Sequence, residues 1–571
     1  MGHAAANPMI VQGDKTVLLE VDNPLYEAAR DALARFAELE KSPEHVHTYR
    51  VTPLSLWNAA AAGLTAGEVV DALERFGKYP LPGNVRADVA DYVARYGRVK
   101  LVRHDDGKLR LVSEDRPLLA EIAHHRRLAP FIVGRGQDGA LVVEPAQRGH
   151  VKHALVQFGY PAEDLAGYVA GARLEIRLRE TRASDGAPFA LRRYQREAAA
   201  VFHAGGSARG GSGVIVLPCG AGKTLVGMAA MAELQSSTLV LTPSIVAARQ
   251  WIRELLDKTD LSPDAVGEYS GEHKEIRPVT VTTYQVLTHR PARSEEFPHF
   301  ALFDERDWGL IVYDEVHLLP SPVFRITAEI QARRRLGLTA TLVREDGRET
   351  DVFALIGPKK YDVPWKDLER QGWIATAECH EIRLPMADDR RMAYAVAEER
   401  EKYRIAAENP LKLDVLDRLL LRHRDDQVLV IGQYLDQLAT VAERYGAPLV
   451  TGKTPTLERE KLYEAFRVGE VRLLVVSKVA NFSIDLPDAN VAIQISGTFG
   501  SRQEEAQRLG RILRPKQDGQ LAHFYTLVTR DTRDQEFAAN RQMFLTEQGY
   551  RYEIVYPEEV AAVAPALPMS G

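Results

Sequence analysis

Val214-Ile215-Val216-Leu217-Pro218-Cys219-Gly220-Ala221-Gly222-Lys223-Thr224-Leu225-Val226-Gly227-Met228 runs from an apolar strand through a glycine turn into a helix. Glycines let the backbone turn tightly, so that its N–H groups face phosphate oxygens at a helix N-terminus. In this reading Leu217, Pro218, Cys219, Gly220, Ala221 and Gly222 shape the loop. Lys223 neutralises the outer phosphates, and the Thr224 hydroxyl ligates Mg²⁺. Leu217 stands where the full phosphate-loop pattern has its first glycine, which narrows the class to compact loops of this type.

The texture around the loop sets the fold. Val214–Leu217, Thr238–Thr242, Val279–Thr283, Leu310–Tyr313 and Arg335–Thr339 are short apolar or β-branched runs separated by helical stretches. The pattern returns at Val428–Ile431, Pro448–Val450, Arg472–Val476, Val491–Ile495 and Phe524–Val528. Apolar strands alternating with helices mean parallel sheets covered on both faces, so two α/β domains are expected. Between them, Met386–Pro410 is charged and helix-prone.

Upstream, residues 1 to about 100 read as helical, with apolar spacing from Asn23 to Glu40 and again from Leu64 to Phe76. Thr65 with Glu68 three residues on marks a helix start for the second of these. Short runs at Val99–Arg103 and Leu109–Val112 after those helices suggest a winged-helix-like module. Ala140–Val143 reads as a strand, His150–Gln157 as a helix, and the glycine-rich Gly205–Gly213 as a separator.

A chain of 571 residues is too long for one core. Its 45% hydrophobic and 27% charged residues are ordinary for a globular protein. No apolar run is long enough to span a membrane, and no signal peptide or acylation motif opens the chain, so a reduced cytoplasmic protein is expected. With only Cys219 and Cys379, neither a disulfide framework nor a zinc cluster is expected. The net charge of −6 argues against a uniformly basic nucleic-acid coat but leaves room for a basic track.

Two further constellations complete the chemistry. Asp314-Glu315-Val316-His317 follows Leu310–Tyr313, so both carboxylates emerge where open α/β sheets place their ligands. Asp314 would hold Mg²⁺, and Glu315 would orient the attacking water. Gln507-Arg508-Leu509-Gly510-Arg511-Ile512-Leu513-Arg514 lies in the second α/β region; Gln507 and Arg508 would reach ATP. Arg511 and Arg514 would act as arginine fingers across the cleft. Before the loop, Gln195 carries an amide suited to a purine edge.

With these residues assembled, roughly residues 185 to 556 resemble superfamily 2 helicases, and specifically the XPB family. Leu338-Thr339-Ala340-Thr341, Arg344-Glu345-Asp346, the Gln507–Arg514 box and the Phe544–Tyr550 stretch carry the resemblance beside the Asp314–His317 box. Ser477–Asp485 departs from the usual pattern in its middle but keeps Asp485. The resemblance implies two RecA-like parallel-sheet domains in tandem, a small thumb-like helical insertion and N-terminal accessory α+β domains. The corresponding boundaries are 1–100, an N-terminal extension; 101–184, a damage-recognition-like domain; 185–358, the ATP-binding domain; 359–410, linker and thumb; and 411–571, the second helicase domain.

It further implies that His317, Thr339, Thr341 and Asp485 couple hydrolysis to motion, and that Arg344, Glu345 and Asp346 separate strands. The cofactors would be ATP and Mg²⁺, and the substrate single-stranded and forked DNA. A repair nuclease is a candidate partner, with no membrane and no other small molecule involved. Along the track, Thr242, Arg249, Thr283, Tyr284, Thr451 and Lys453 would contact the DNA backbone without reading bases. Arg333-Arg334-Arg335 reads instead as a solvated face. The expected activity is a 3′–5′ DNA helicase of repair; a duplex translocase and an ATP-switched scaffold recruiting a nuclease are the alternatives.

Overall fold

A computed structural model describes residues 6–41, 45–218, 220–290, 297–331, 333–340, 348–363, 368, 377–477, 489–497, 522–547 and 551–562. Its first sheet is antiparallel, in the order β1-β2-β4-β3, built from β1 (Met9–Val11), β2 (Thr16–Glu20), β3 (Glu38–Lys41) and β4 (Val46–Arg50). The helices Tyr26–Leu33, Pro53–Ala61, Ala66–Phe76 and Gly83–Arg95 pack against it around Val17, Leu56, Leu73 and Val85. An all-helical start is therefore corrected: β3 overlaps the end of the Asn23–Glu40 stretch. Thr16–Glu20 pairs on both sides because Val17 and Leu19 face the core of this module. Thr65 caps its helix: the Glu68 N–H donates to the Thr65 hydroxyl at 3.2 Å, and the Thr65 N–H to the Glu68 carboxylate at 2.7 Å.

A second sheet runs β7-β8-β6-β5-β9. It comprises β5 (Lys100–Arg103), β6 (Leu109–Val112), β7 (Ile132–Arg135), β8 (Leu141–Val143) and β9 (Glu163–Leu165), with helices Arg116–His124 and Arg148–Phe158. The strands expected to form a wing thus belong to this separate sheet.

The third sheet is parallel throughout, ordered β12-β13-β11-β14-β15-β10-β16. Its strands are β10 (Ser212–Val216), β11 (Thr238–Thr242), β12 (Val266–Tyr269), β13 (Val279–Thr283), β14 (Leu310–Asp314), β15 (Arg334–Thr339) and β16 (Lys359–Asp362). The fourth, also parallel, runs β19-β20-β18-β21-β22-β17-β23. It contains β17 (Ala377–Leu384), β18 (Val428–Gly432), β19 (Leu449–Val450), β20 (Leu473–Ser477), β21 (Val491–Gln494), β22 (Ala522–Thr529) and β23 (Arg551–Val555). These are the two tandem RecA-like domains. Polar strands at 359–362 and 377–384 belong to the two sheets, so the expected 359–410 linker gives way to strands at its start. What remains outside the sheets is a pair of helices, Asp388–Val396 and Glu399–Ala407, the first with no buried residue.

Arg335 does not lie on a solvated face. It is fully buried at the start of β15, where Nε donates to the Leu355 carbonyl and Nη1 to the Gln331 carbonyl, both at 2.8 Å. The Tyr168 ring lies within 5.5 Å of its guanidinium and 5.0 Å of that of Arg148. Arg148 pairs with Asp164 at 2.8 Å, and Lys152 joins Asp164 and Gln331, each at 2.9 Å. This buried polar group fastens the second sheet's module to the base of β15, where each charge has a partner or an aromatic face.

Candidate ATP site and its relatives

The phosphate loop leaves β10 with the Leu217 N–H donating to the Thr339 carbonyl at 2.9 Å, which ties it to the neighbouring strand end. Leu217 is buried, so the residue replacing glycine serves as packing. Cys219 lies outside the described residues. Gly220 and Gly222 take φ of 79° and 81°, the left-handed region that favours glycine. A Cβ on Gly222 would also fall 2.5 Å from the Gln195 amide nitrogen. Gly222 caps the helix Lys223–Leu234 and, having no side chain, offers no cap of its own to the first N–H groups, the groups that an anion takes at a helix start.

Gln195 faces the loop more than open space. It is 1% exposed; its amide donates to the Ala221 carbonyl at 2.9 Å and accepts from the Arg192 N–H at 2.9 Å. The Tyr194 hydroxyl donates to the same Ala221 carbonyl at 2.6 Å. Both brace the loop, and these bonds occupy the Gln195 amide on both its nitrogen and its oxygen.

Across the cleft floor, Lys223 Nζ sits 3.2 Å from Glu315 Oε1, with both side chains largely buried. Glu315 adopts φ 47°, a left-handed turn uncommon for a non-glycine residue. His317 lies 3.5 Å from Glu315, and its Nδ1 is 2.6 Å from the Thr339 hydroxyl. Burial alone would raise the Glu315 carboxyl; the Lys223 ammonium and then His317 outweigh it and hold it below the usual range. Asp314 is pushed up, by burial first and the Glu315 charge second. Two crowded carboxylates beside a phosphate loop form a hard-oxygen set whose repulsion a divalent cation relieves.

Trp251, which the sequence did not single out, and Tyr284, expected on the DNA track, hold Asp314. Trp251 Nε1 donates to its carboxylate at 2.9 Å, and the Tyr284 hydroxyl to its main-chain carbonyl at 2.8 Å. Their positions follow from packing of the helix Ile245–Lys258 and the strand end at Thr283, with no local motif to announce them.

Among the proposed DNA contacts, three have side chains that are buried and already bonded within the domain. Thr242 is buried, with its hydroxyl donating to the Thr282 carbonyl at 2.9 Å. Thr283 is 3% exposed and accepts from the Val286 N–H, and Tyr284 is equally buried. Residues at the ends of central strands are covered by their neighbours, so their hydroxyls cap and brace. Arg249 is half exposed and paired with Glu268 and Glu272, at 3.1 and 2.5 Å. Thr451 accepts from the Lys453 N–H in a turn, and Lys453 is exposed. Thr341, Arg344, Glu345, Asp346, Asp485, Gln507, Arg508, Arg511 and Arg514 lie outside the described residues.

Comparison with known proteins fits this geometry. A family model described as ERCC3/RAD25/XPB C-terminal helicase matches residues 368–568. One described as type III restriction enzyme, res subunit, matches 188–344, and a helicase conserved C-terminal domain model matches 9–137. A protein of Mycobacterium tuberculosis named DNA 3'-5' helicase XPB is 59% identical over 547 residues, covering 96% of this chain and 97% of its own. The chain belongs to the XPB family of superfamily 2 helicases. The Kineococcus radiotolerans protein of the same name is 57% identical, covering 98% of each chain. An Encephalitozoon cuniculi general transcription and DNA repair factor IIH helicase/translocase subunit XPB is 34% identical over 566 residues, 96% of this chain and 83% of that one. XPB-family membership therefore extends over the N-terminal modules as well as both parallel sheets. Among the described residues, no helix is long and apolar enough to cross a membrane.

Proposed function

We propose that this chain is an ATP-dependent 3′–5′ DNA helicase that couples hydrolysis to translocation and unwinding in nucleotide excision repair. The Lys223–Glu315 pair carries the reading, because phosphate and carboxylate compete for one ammonium. An arriving triphosphate takes Lys223 and releases Glu315 to polarise the attacking water. Thr224 and Asp314 would hold Mg²⁺, which offsets charge on the phosphate oxygens. Thr339, bonded to His317 and tied through its carbonyl to the loop, is placed to pass the nucleotide state to the rest of the sheet.

In this assignment residues 185–358 grip ATP, 411–571 close over it with Arg511 and Arg514, and Thr341 and Asp485 share the coupling. Arg344, Glu345 and Asp346 act at the strand fork. Exposed Lys453 lies on the DNA track, while Arg249 reaches it only by leaving its carboxylates. Forked and single-stranded DNA are the substrates, and a repair nuclease is the partner.

Duplex translocation without strand separation is the second reading, favoured by the word translocase in the name of the Encephalitozoon relative. Unwinding of 3′- and 5′-tailed DNA duplexes, beside triplex displacement, decides between the two. Release of a strand from the 3′-tailed duplex is the expected result. Triplex displacement without any unwinding would overturn the helicase reading.

A further inference from the structure

β17 and β22 run parallel with Glu378 opposite His523, and the two-residue pleat places His380 on the same face as Glu378. Glu378 Oε2 lies 3.5 Å from His523 Nδ1 and 3.8 Å from His380 Nε2. One ligand atom from each of the three residues falls within 4.8 Å of the others. Both of those ring nitrogens are buried and have no hydrogen-bond partner. Two bonds of ~2.0–2.1 Å meeting at a tetrahedral angle set such atoms about 3.3 Å apart, so the two Glu378 distances are within a few tenths of an ångström of a metal's need, and side-chain rotation draws the two rings together from at most 4.8 Å.

We propose that Glu378, His380 and His523 form a binding site for a divalent transition ion, zinc by its two-nitrogen, one-oxygen donor set. Glu553, the β23 neighbour of His380, lies 3.4 Å from its Nδ1. A carboxylate there accepts the hydrogen bond of Nδ1–H, which fixes the tautomer and leaves the Nε2 lone pair for the metal. Tyr525 stacks on His380 at 5.3 Å and fixes the ring plane. His423, although close, has both nitrogens engaged, with Asp426 and the Tyr525 hydroxyl at 2.9 Å each. The fourth position is left to water, and half-exposed Glu378 provides the entry side.

Cysteine count alone could not reveal this site, because strand register assembles it from residues 378 to 523. It sits at the starts of β17 and β22, the opposite ends of the strands from those that face ligands in open α/β sheets. The metal therefore acts as a staple between two central strands, outside the ATP chemistry.

The test uses the untagged full chain, stripped with chelator and titrated with zinc against a chromogenic competitor. Uptake of one equivalent is expected, with affinity falling roughly 100-fold in His380→Ala and His523→Ala and about 10-fold in Glu553→Gln. Exposed His104→Ala should bind as the parent does. DNA-stimulated ATPase, retained in every variant, reports correct folding. Cobalt(II) should give the intense visible bands of a four-coordinate site in the parent and lose them in His523→Ala. Zinc uptake by the parent no greater than that of the His380→Ala/His523→Ala double variant would overturn the site, as would cobalt bands unchanged in His523→Ala.

Discussion

The two seven-stranded sheets have one topology: adding seven to each strand label of the first gives the order of the second. Equivalent strand ends nevertheless carry different chemistry. In the first sheet, β10, β14 and β15 end at the phosphate loop, at Asp314-Glu315 and at Thr339; in the second, β17, β21 and β22 end at Pro385, at Ile495-Ser496 and at Thr529-Arg530. Each domain also holds a largely buried lysine–carboxylate pair beside the strand ends. Lys223 meets Glu315 at 3.2 Å across a cleft, whereas Lys412 meets Asp534 at 2.7 Å with both side chains 1% exposed. Lys412 also donates to the Ile495 carbonyl at 3.0 Å, and Asp534 accepts from the Thr529 N–H at 3.1 Å. The second pair is locked by backbone groups, and the first can exchange a partner for phosphate. On the proposed function, one fold thus supports a nucleotide site in one domain and a structural clamp in the other, distinguished by the side chains at the strand ends.

Removing the lysines should separate the two roles most sharply. Lys223→Ala should lower ATP turnover at least ~10³-fold, about 4 kcal/mol of barrier, with little change in thermal midpoint. Near-normal steady-state ATPase in that variant would remove Lys223 from the site. Lys412→Met should instead destabilise the protein by about 3–5 kcal/mol, because the Asp534 charge stays buried without its counter-ion. Denaturant unfolding would measure it, and Lys412→Met/Asp534→Leu should recover most of the loss. A double variant no more stable than the single one would show that the clamp matters for something besides charge.

The same contrast explains what was legible in the sequence. Five strands in each sheet were apparent because buried parallel strands are continuous apolar runs, and the phosphate loop and Asp314–His317 announce themselves by spacing. The missed strands are short or polar: β12, β16, β17 and β23, with sequences such as Ala377–Leu384 in which Glu378, His380, Glu381 and Arg383 hide the pattern. Buried Glu381 is tolerated because Arg383 pairs with it at 2.7 Å, a partner that hydropathy does not register. Trp251 and the Glu378–His380–His523 triad depend on packing and register. Thr242, Thr283 and Tyr284 looked available because burial at a strand end has no sequence mark.

A smaller effect sharpens the first site further. Trp251→Phe keeps an aromatic, if smaller, ring but removes the N–H that Asp314 accepts, a hydrogen bond to a charged group worth about 1.5–3 kcal/mol. Roughly 10-fold slower turnover and a higher Mg²⁺ requirement are expected from ATPase titrations. Unchanged Mg²⁺ dependence would make Trp251 a packing residue alone.

The smallest effect concerns the track. Arg249, in the first domain, is already balanced by Glu268 and Glu272, while Lys453, in the second, is exposed at a turn. A cation that neutralises a phosphate contributes about 0.9 to the slope of log affinity against log salt on duplex DNA, and about 0.7 on a single strand. Lys453→Ala should therefore lower the slope by roughly that amount, and Arg249→Ala should leave it nearly unchanged, because the guanidinium would first have to leave two carboxylates. A slope lowered by Arg249→Ala as much as by Lys453→Ala would mean that DNA breaks those ion pairs, and that Arg249, like Lys223, exchanges a carboxylate for a phosphate.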